Sequence, residues 1–566
     1  MSKSLLNLYE EHIYHQAYQS NFSTELWDHL PQKIGDLPVL ISEKLKFRTP
    51  IDDTTLSELK NIIKSNLISF GTFTSPIKEK LTNWSGNDPT FEIGHQPLFF
   101  GGSSFVFNKI SFAIGLSKYL ATQSNLQAYP FLFIGDHDQV QNELTITRFP
   151  QFQSFTGLEL KFEYDSNYNS TPMAYLPLYP EDKLIDQFDK IRSNYRELFR
   201  FVKIKSEFRP LLEERLESSL DLLYESFLKS NTFSDWISDF WAKMFILKNN
   251  APIFILKASD LRLRKLLLPY LEDLLKEENR ISFIKTINEY HDKITEAGYK
   301  PGLPLREENE IPFFYECPHC IYRSRIKLES KDATLIGKCP TCEREIIIEY
   351  NINNPDLSEH YQYLSPRVES RSIIINRLLK AIMRITGGGE TTYHAQIIPF
   401  MKKMNYLTPI IMKNPRIYYN TPWSEKISSE INFDNLTPLQ NPETFKLMSK
   451  TAKADNFNDA KTTIIATKEL LEENLKSFQA KEEEYKTALK NNKNKQLLKQ
   501  LETVQLYLSH NYGSFQPEKT IQEVSWNWID LSILTGVKDL YGFYSRRLKS
   551  ELPIAPTFWL SVGRYN

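Results

Sequence analysis

A chain of 566 residues with 41 % hydrophobic and 25 % charged residues has the balance of a globular protein and the length of roughly three or four domains. Its formal net charge of −1 supplies no overall basic field, which argues against nucleic acid as a general partner. No apolar run approaches the roughly 18 residues of a membrane helix, and the first twenty residues hold no signal-peptide core, so a cytoplasmic protein is the expectation.

Residues 1–85 read as mostly helical and run into a turn cluster, Ser85-Gly86-Asn87-Asp88-Pro89. They carry no recognisable chemistry and are expected to be a packing segment for a sheet. Residues 91–94 then read as a short apolar strand. Phe105, Ile110, Ala113, Leu116 and Leu120 fall near helical spacing over 103–123. Residues 131–134 form a second apolar run between Pro130 and Gly135. This is a β-α-β unit, the building block of a parallel sheet.

Polar groups stand just past both strand ends, Gly94-His95-Gln96 and Asp136-His137-Asp138, at the edge where open α/β sheets bind ligands. His95 suits a donor to an anion or an acid–base role. Around His137, one aspartate could orient the imidazole while the other contacts an amine. Gly101-Gly102 before the helix would let backbone N–H groups approach an anion. The plain alternatives are a turn-capping histidine and a solvated loop; two histidines on neighbouring strand ends favour a site. Neither the three-glycine dinucleotide fingerprint nor a P-loop is present.

Residues 182–247 read as helices, 252–256 as a strand rejoining the sheet, and 258–297 as helices again. The aromatic stripe Trp236, Phe240, Trp241 and Phe245 reads as core. All four cysteines come next, Cys317, Cys320, Cys339 and Cys342, in the spacing C-x2-C-x18-C-x2-C. Two such knuckles supply the four soft ligands of tetrahedral zinc and leave no position for a catalytic water, so the expected ion is structural. Strands are expected at 321–328 and 345–350, giving a zinc ribbon. Further on, Gly387-Gly388-Gly389-Glu390 opens a helix with Tyr393, His394 and Gln396. Three glycines before a helix make a pliable anion cradle, and Glu390, Tyr393 and Gln396 are expected on one side of it. A strand is expected at 408–412. Residues 459–510 read as a helical hairpin, with Leu471, Leu475, Phe478, Tyr485 and Leu489 on an apolar seam.

Several of these segments resemble, in order, the bacillithiol-synthesis cysteine-adding family BshC. They are Gly94-His95-Gln96-Pro97, Gly101-Gly102, Asn108-Lys109-Ile110, Asp136-His137-Asp138, Leu364-Ser365-Pro366-Arg367, and the glycine loop with its Tyr-x-Ala-Gln helix. The chain departs from the family at Arg371-Ser372, where Arg-Pro is usual, at Gly388 for a proline and at His394 for a tryptophan. Members usually have a plain hairpin where the ribbon stands. The resemblance implies an α/β fold with a Rossmann-like parallel-sheet core, helical connecting insertions and a C-terminal coiled-coil arm. It gives a plan of residues 1–180 and 353–423 as the two parts of the core, 181–310 as helical connection, 311–352 as ribbon, 424–458 as connector, 459–510 as coiled coil and 511–566 as a helical end. It implies a ligase that adds the carboxyl group of cysteine to the amine of glucosaminyl-malate, with ATP as co-substrate. The site would comprise His95, Asp136, His137 and Asp138 as catalytic groups. Gly94, Gln96, Gly101, Gly102, Lys109, Arg367, Gly387, Gly388, Gly389, Glu390, Tyr393 and Gln396 would bind substrates. A homodimer through the coiled coil is expected. A ligase for a different amine, and a ribbon that binds nucleic acid or protein, remain as alternative readings.

Overall fold

The computed structural model describes residues 3–14, 21–28, 30–152, 154–201, 207–329, 333–424, 521–536 and 542–561. The hairpin expected at 459–510 lies outside the described residues, as does all but the first residue of the connector.

Five strands form the central sheet: β1 (Thr90–His95), β2 (Tyr129–Ile134), β3 (Phe254–Lys257), β4 (Met383–Thr386) and β5 (Ile410–Lys413). Their order is β5-β4-β1-β2-β3 and every pairing is parallel. β2, β4 and β5 are buried at every position; β2 is an unbroken apolar run, whereas β4 and β5 each bury one basic residue, Arg384 and Lys413. The chain steps outward from β1 through β2 to β3, then crosses back to lay β4 and β5 on the other side. This is a Rossmann-like sheet, and its direction reverses between β1 and β4.

Helix α1 (Ser104–Ser124) joins β1 to β2; α2 (Val368–Leu379) leads into β4; α3 (Gly388–Lys403) joins β4 to β5. Right-handed crossovers running in opposite directions place α1 and α3 on opposite faces of the sheet. α1 is buried almost throughout because helices Trp528–Thr535 and Gly542–Arg547 cover the side turned from the sheet. The described residues before 86 pack on this core: Tyr9 donates to the Ile411 carbonyl at 2.7 Å and Trp27 Nε1 to that of Thr391 at 2.9 Å.

The aromatic stripe is core, and Trp241 Nε1 donates to the Gly101 carbonyl at 3.0 Å. The ribbon region has a hairpin, Phe313–Glu316 with Arg323–Ser324, and a three-stranded antiparallel sheet of Ile326–Glu329, Thr334–Lys338 and Glu345–Glu349. The strand Thr334–Lys338 adds to the two expected at 321–328 and 345–350. Gly337 fits there because a Cβ would stand 2.5 Å from Ile326 Cγ2. The C-terminal part is not only helical: Thr557–Ser561 pairs in parallel with Arg416–Asn420. Among the described residues no helix is long and apolar enough to cross a membrane.

Candidate active site

A cavity of about 820 Å³ opens at the reversal point, where the carboxyl ends of β1 and β4 diverge. Its walls include Gly94, His95 and Gln96 from the end of β1, residues 387–390 and Tyr393 from the start of α3, and Arg371 from α2. Phe105, Arg148, Val524 and Ser525 line it as well.

His95 Nδ1 stands 3.0 Å from the Gln96 carbonyl, an acceptor, so the proton sits on Nδ1 and Nε2 carries the lone pair. Burial, helped by the charge of Lys109, pushes the imidazole down to about 4, so it is neutral near pH 7. Gln96 donates to Asp138 Oδ2 at 2.8 Å, and Arg371 donates to the same oxygen at 2.7 Å. Burial alone would raise the Asp138 carboxyl; the Arg371 and Arg323 guanidinium charges overcome it and hold the group well below the usual range. Gly135 makes room for this pair, since a Cβ there would lie 3.1 Å from the Arg371 guanidinium.

Across the cavity, Glu390 accepts from the Gly387 N–H at 2.7 Å, a cap made by the third residue of α3. The N–H groups of Gly388, Gly389 and Glu390 open the helix without a partner among the described residues. Glu390 also pairs with Lys109, whose ammonium donates to the Gly94 carbonyl at 2.8 Å. Burial would raise Glu390, but Lys109 and the Gly387 N–H hold it below its ordinary value. Lys109 therefore ties the end of β1 to the start of α3. Deeper in the wall, the parallel register sets Arg384 opposite Glu92, and the guanidinium donates to that carboxylate at 2.8 Å. Arg384 also donates to His394 Nε2 at 2.7 Å, while His394 Nδ1 donates to the Glu390 carbonyl at 2.7 Å.

A family model described as "Bacillithiol biosynthesis BshC, N-terminal Rossmann-like domain" matches residues 52–416, more than half of the chain. The chain belongs to this family. Two curated relatives are called "Putative cysteine ligase BshC". The one from Staphylococcus carnosus (strain TM300) is 20 % identical over 334 residues, 59 % of this chain and 56 % of the relative. The one from Staphylococcus aureus (strain bovine RF122 / ET3-1) is 25 % identical over 351 residues, 60 % of this chain and 57 % of the relative. The matches thus span little more than half the length of these relatives.

The structure brings Gly94, His95, Gln96, Gly102, Gly387, Gly388, Gly389, Glu390 and Tyr393 to one cavity. Seven expected residues are placed otherwise. Asp138 does not line the cavity but stands behind it, holding Arg371 and Gln96. Asp136 is fully buried and its carboxylate is taken up by the Ser234 and Ser259 hydroxyls and the Ser259 N–H, at 2.8, 2.6 and 2.8 Å. His137 is 1 % exposed and faces a separate void of about 20 Å³ among Leu267, Leu268 and Leu271. Its Nδ1 has no partner among the described residues, and burial holds the ring neutral. The N–H groups of Gly101 and Gly102 are spent on the Leu98 and Phe99 carbonyls, so the glycine pair is no anion cradle. Gly101 instead admits Phe240, which a Cβ would meet at 2.2 Å. Lys109 positions Glu390 from below. Arg367 already forks onto Glu310, at 2.8 and 3.3 Å, and is not free to grip a substrate carboxylate. Gln396 is fully buried on the Leu303 backbone, accepting from its N–H at 2.7 Å. Six residues are about one and two-thirds turns, so Gln396 could not share the face of Glu390.

Sequence reasoning missed Arg371, Glu92 and Arg384. The last two had a signal: each is the lone charge in an otherwise apolar strand, and the signs are opposite.

The four cysteine sulfurs lie within 4.8 Å of one another, with Cys317–Cys342 at 3.6 Å and Cys320–Cys339 at 3.3 Å. Four thiolates about 2.3 Å from one tetrahedral ion stand roughly 3.8 Å apart, so the cluster can hold a metal. Each knuckle is closed by matching backbone bonds, Cys317 N–H to Tyr322 and Ile321 N–H to Cys317, then Cys339 N–H to Arg344 and Glu343 N–H to Cys339.

Proposed function

We propose that this chain is an amide-forming ligase that joins the carboxyl group of cysteine to the amine of an amino-sugar acceptor of the glucosaminyl-malate kind, with ATP activating the carboxyl group. The observation that carries the reading is the cavity at the strand reversal, which sets a neutral histidine against an open helix start. An activated acyl group with a phosphate leaving group would place its developing negative charge on the free N–H groups of residues 388–390 and on Arg371. His95 Nε2 accepts the proton that the attacking amine must lose, an effect worth roughly 10²–10⁴-fold. It serves as acceptor rather than donor because Nδ1 is committed to Gln96. Arg371, steadied by Asp138, supplies a fixed positive charge for a substrate anion, phosphate or carboxylate. Asp136 supports the loop by accepting from Ser234 and Ser259. The cysteine cluster is proposed to hold one structural zinc ion.

Incubation with cysteine, ATP and glucosaminyl-malate or other amines should give an amide product by mass spectrometry. AMP or ADP then reports which phosphate was attacked. His95→Ala should lower turnover at least about 10²-fold while metal content and thermal stability stay near the parent values. Normal turnover by His95→Ala would move the chemistry elsewhere.

A further inference from the structure

The ribbon and the cavity are joined by one side chain. Arg323 lies three residues beyond Cys320, on the strand that closes the first knuckle, and its guanidinium is 8 % exposed. Nε donates to Ser365 Oγ at 2.8 Å, one terminal nitrogen donates to the Pro366 carbonyl at 2.9 Å, and the other stands 3.6 Å from Asp138 Oδ1. Asp138 Oδ2 is the oxygen that holds Arg371 and Gln96 at the cavity wall. One carboxylate therefore faces the ribbon with one oxygen and holds two residues of the cavity wall with the other.

The backbone repeats the connection. Strand Phe313–Glu316 pairs on one side with Arg323–Ser324 and on the other with Leu364–Pro366, the lead-in to α2 and hence to Arg371. The Arg367 N–H donates to the Pro312 carbonyl at 3.1 Å. The knuckle itself is strained: Ile321 has φ of +64°, a left-handed conformation that a β-branched residue adopts only when its surroundings impose it. The Ile321 N–H bond to the Cys317 carbonyl holds the turn, and ligation of Cys317 and Cys320 to one ion would lock it further, so that release of the ion would let the knuckle relax and carry Arg323 with it.

We propose that Arg323 is a positioning residue and the metal-bound ribbon its mount: the loaded knuckle sets Arg323 against Asp138, and Asp138 sets Arg371 at the cavity. The kinetic arm rests on the reading that Arg371 holds a substrate anion; the structural arm does not. Arg323 makes two hydrogen bonds and stands at ion-pair distance from Asp138, so its placement depends on how closely the knuckle holds its backbone.

The test uses the full chain in four forms: zinc-loaded parent, chelator-treated parent, and zinc-loaded Arg323→Ala and Arg325→Ala. Arg325 is exposed on the same ribbon and serves as the control. Hydrogen exchange by mass spectrometry should show residues 135–139 and 365–372 exchanging at least about 10-fold faster in the chelated protein and in Arg323→Ala. Residues 90–95 and 383–386 should not change, and Arg325→Ala should match the parent. Arg323→Ala should still carry one zinc per chain. In the ligase assay, Arg323→Ala should raise the KM of the anion-bearing substrate about 10-fold with little change in kcat, whereas mere loss of folded enzyme would lower apparent kcat alone. Unchanged exchange at 135–139 and 365–372 in Arg323→Ala overturns the proposal, as does a fall in kcat without a change in KM. Faster exchange in a protein that turns over no cysteine supports the mount and refutes the ligase reading instead.

Discussion

His394 offers a quantitative test of how the cavity wall is built. Its ring is 1 % exposed, accepts from Arg384 on Nε2 and donates from Nδ1 to the Glu390 carbonyl. Protonation would bury a second cation against the Arg384 guanidinium. Burial first, and the Arg384 charge second, push the imidazole down to about 3 from an ordinary value of 6.5. Between these values the unfolded chain binds a proton that the folded chain refuses, so stability is full above pH 6.5 and is lost as pH falls toward 3. The loss amounts to about 2 kcal/mol between pH 7.5 and pH 5 and about 3 kcal/mol by pH 4, with a limiting slope of about 1.4 kcal/mol per pH unit. In His394→Gln the amide oxygen can still accept from Arg384 but cannot titrate. The stability difference between parent and variant should therefore shift by about 2 kcal/mol in the variant's favour when denaturant unfolding is repeated at pH 5 instead of 7.5. Ring-labelled histidine NMR should show His394 as the Nδ1–H tautomer, without titration down to about pH 4. A midpoint above about pH 5.5, or a pH-independent difference between the two proteins, would refute the reasoning.

Lys109→Met should destabilise the chain by about 3 kcal/mol, because Glu390 keeps a largely buried carboxylate whose cation has gone. The double variant Lys109→Met/Glu390→Gln should recover most of that loss in a denaturant cycle; strictly additive losses would show that the pair is not coupled. The apolar seams at 459–510 are expected to make a homodimer, so light scattering on the full chain should give twice the 66.4 kDa chain mass. A monomer at high micromolar concentration rules that out.

The sequence by itself determined the β-α-β unit at 90–134, the glycine-rich helix start at 387–389 and the metal-ligand spacing of the cysteines. Each is a local property: apolar runs of strand length, small residues at a helix start, and paired ligands with two residues between them on a knuckle. What the sequence could not decide is which polar groups face the same space. Asp136, His137 and Asp138 are consecutive, yet Asp136 is taken up by serines, His137 faces an apolar void, and Asp138 braces Arg371 at the wall. Which of the three supports the cavity wall depends on the helices and ribbon that pack around the strand end. Arg367 and Arg371 lie one helical turn apart with the same chemistry, and only the position of Glu310 makes one a fastener and leaves the other at the cavity. Glu92 and Arg384 are 292 positions apart in the chain; the crossover that puts β4 beside β1 makes them neighbours. Short-range pattern comes from backbone geometry, whereas the charge neighbourhood of a site comes from strand order and register, which only the folded chain supplies.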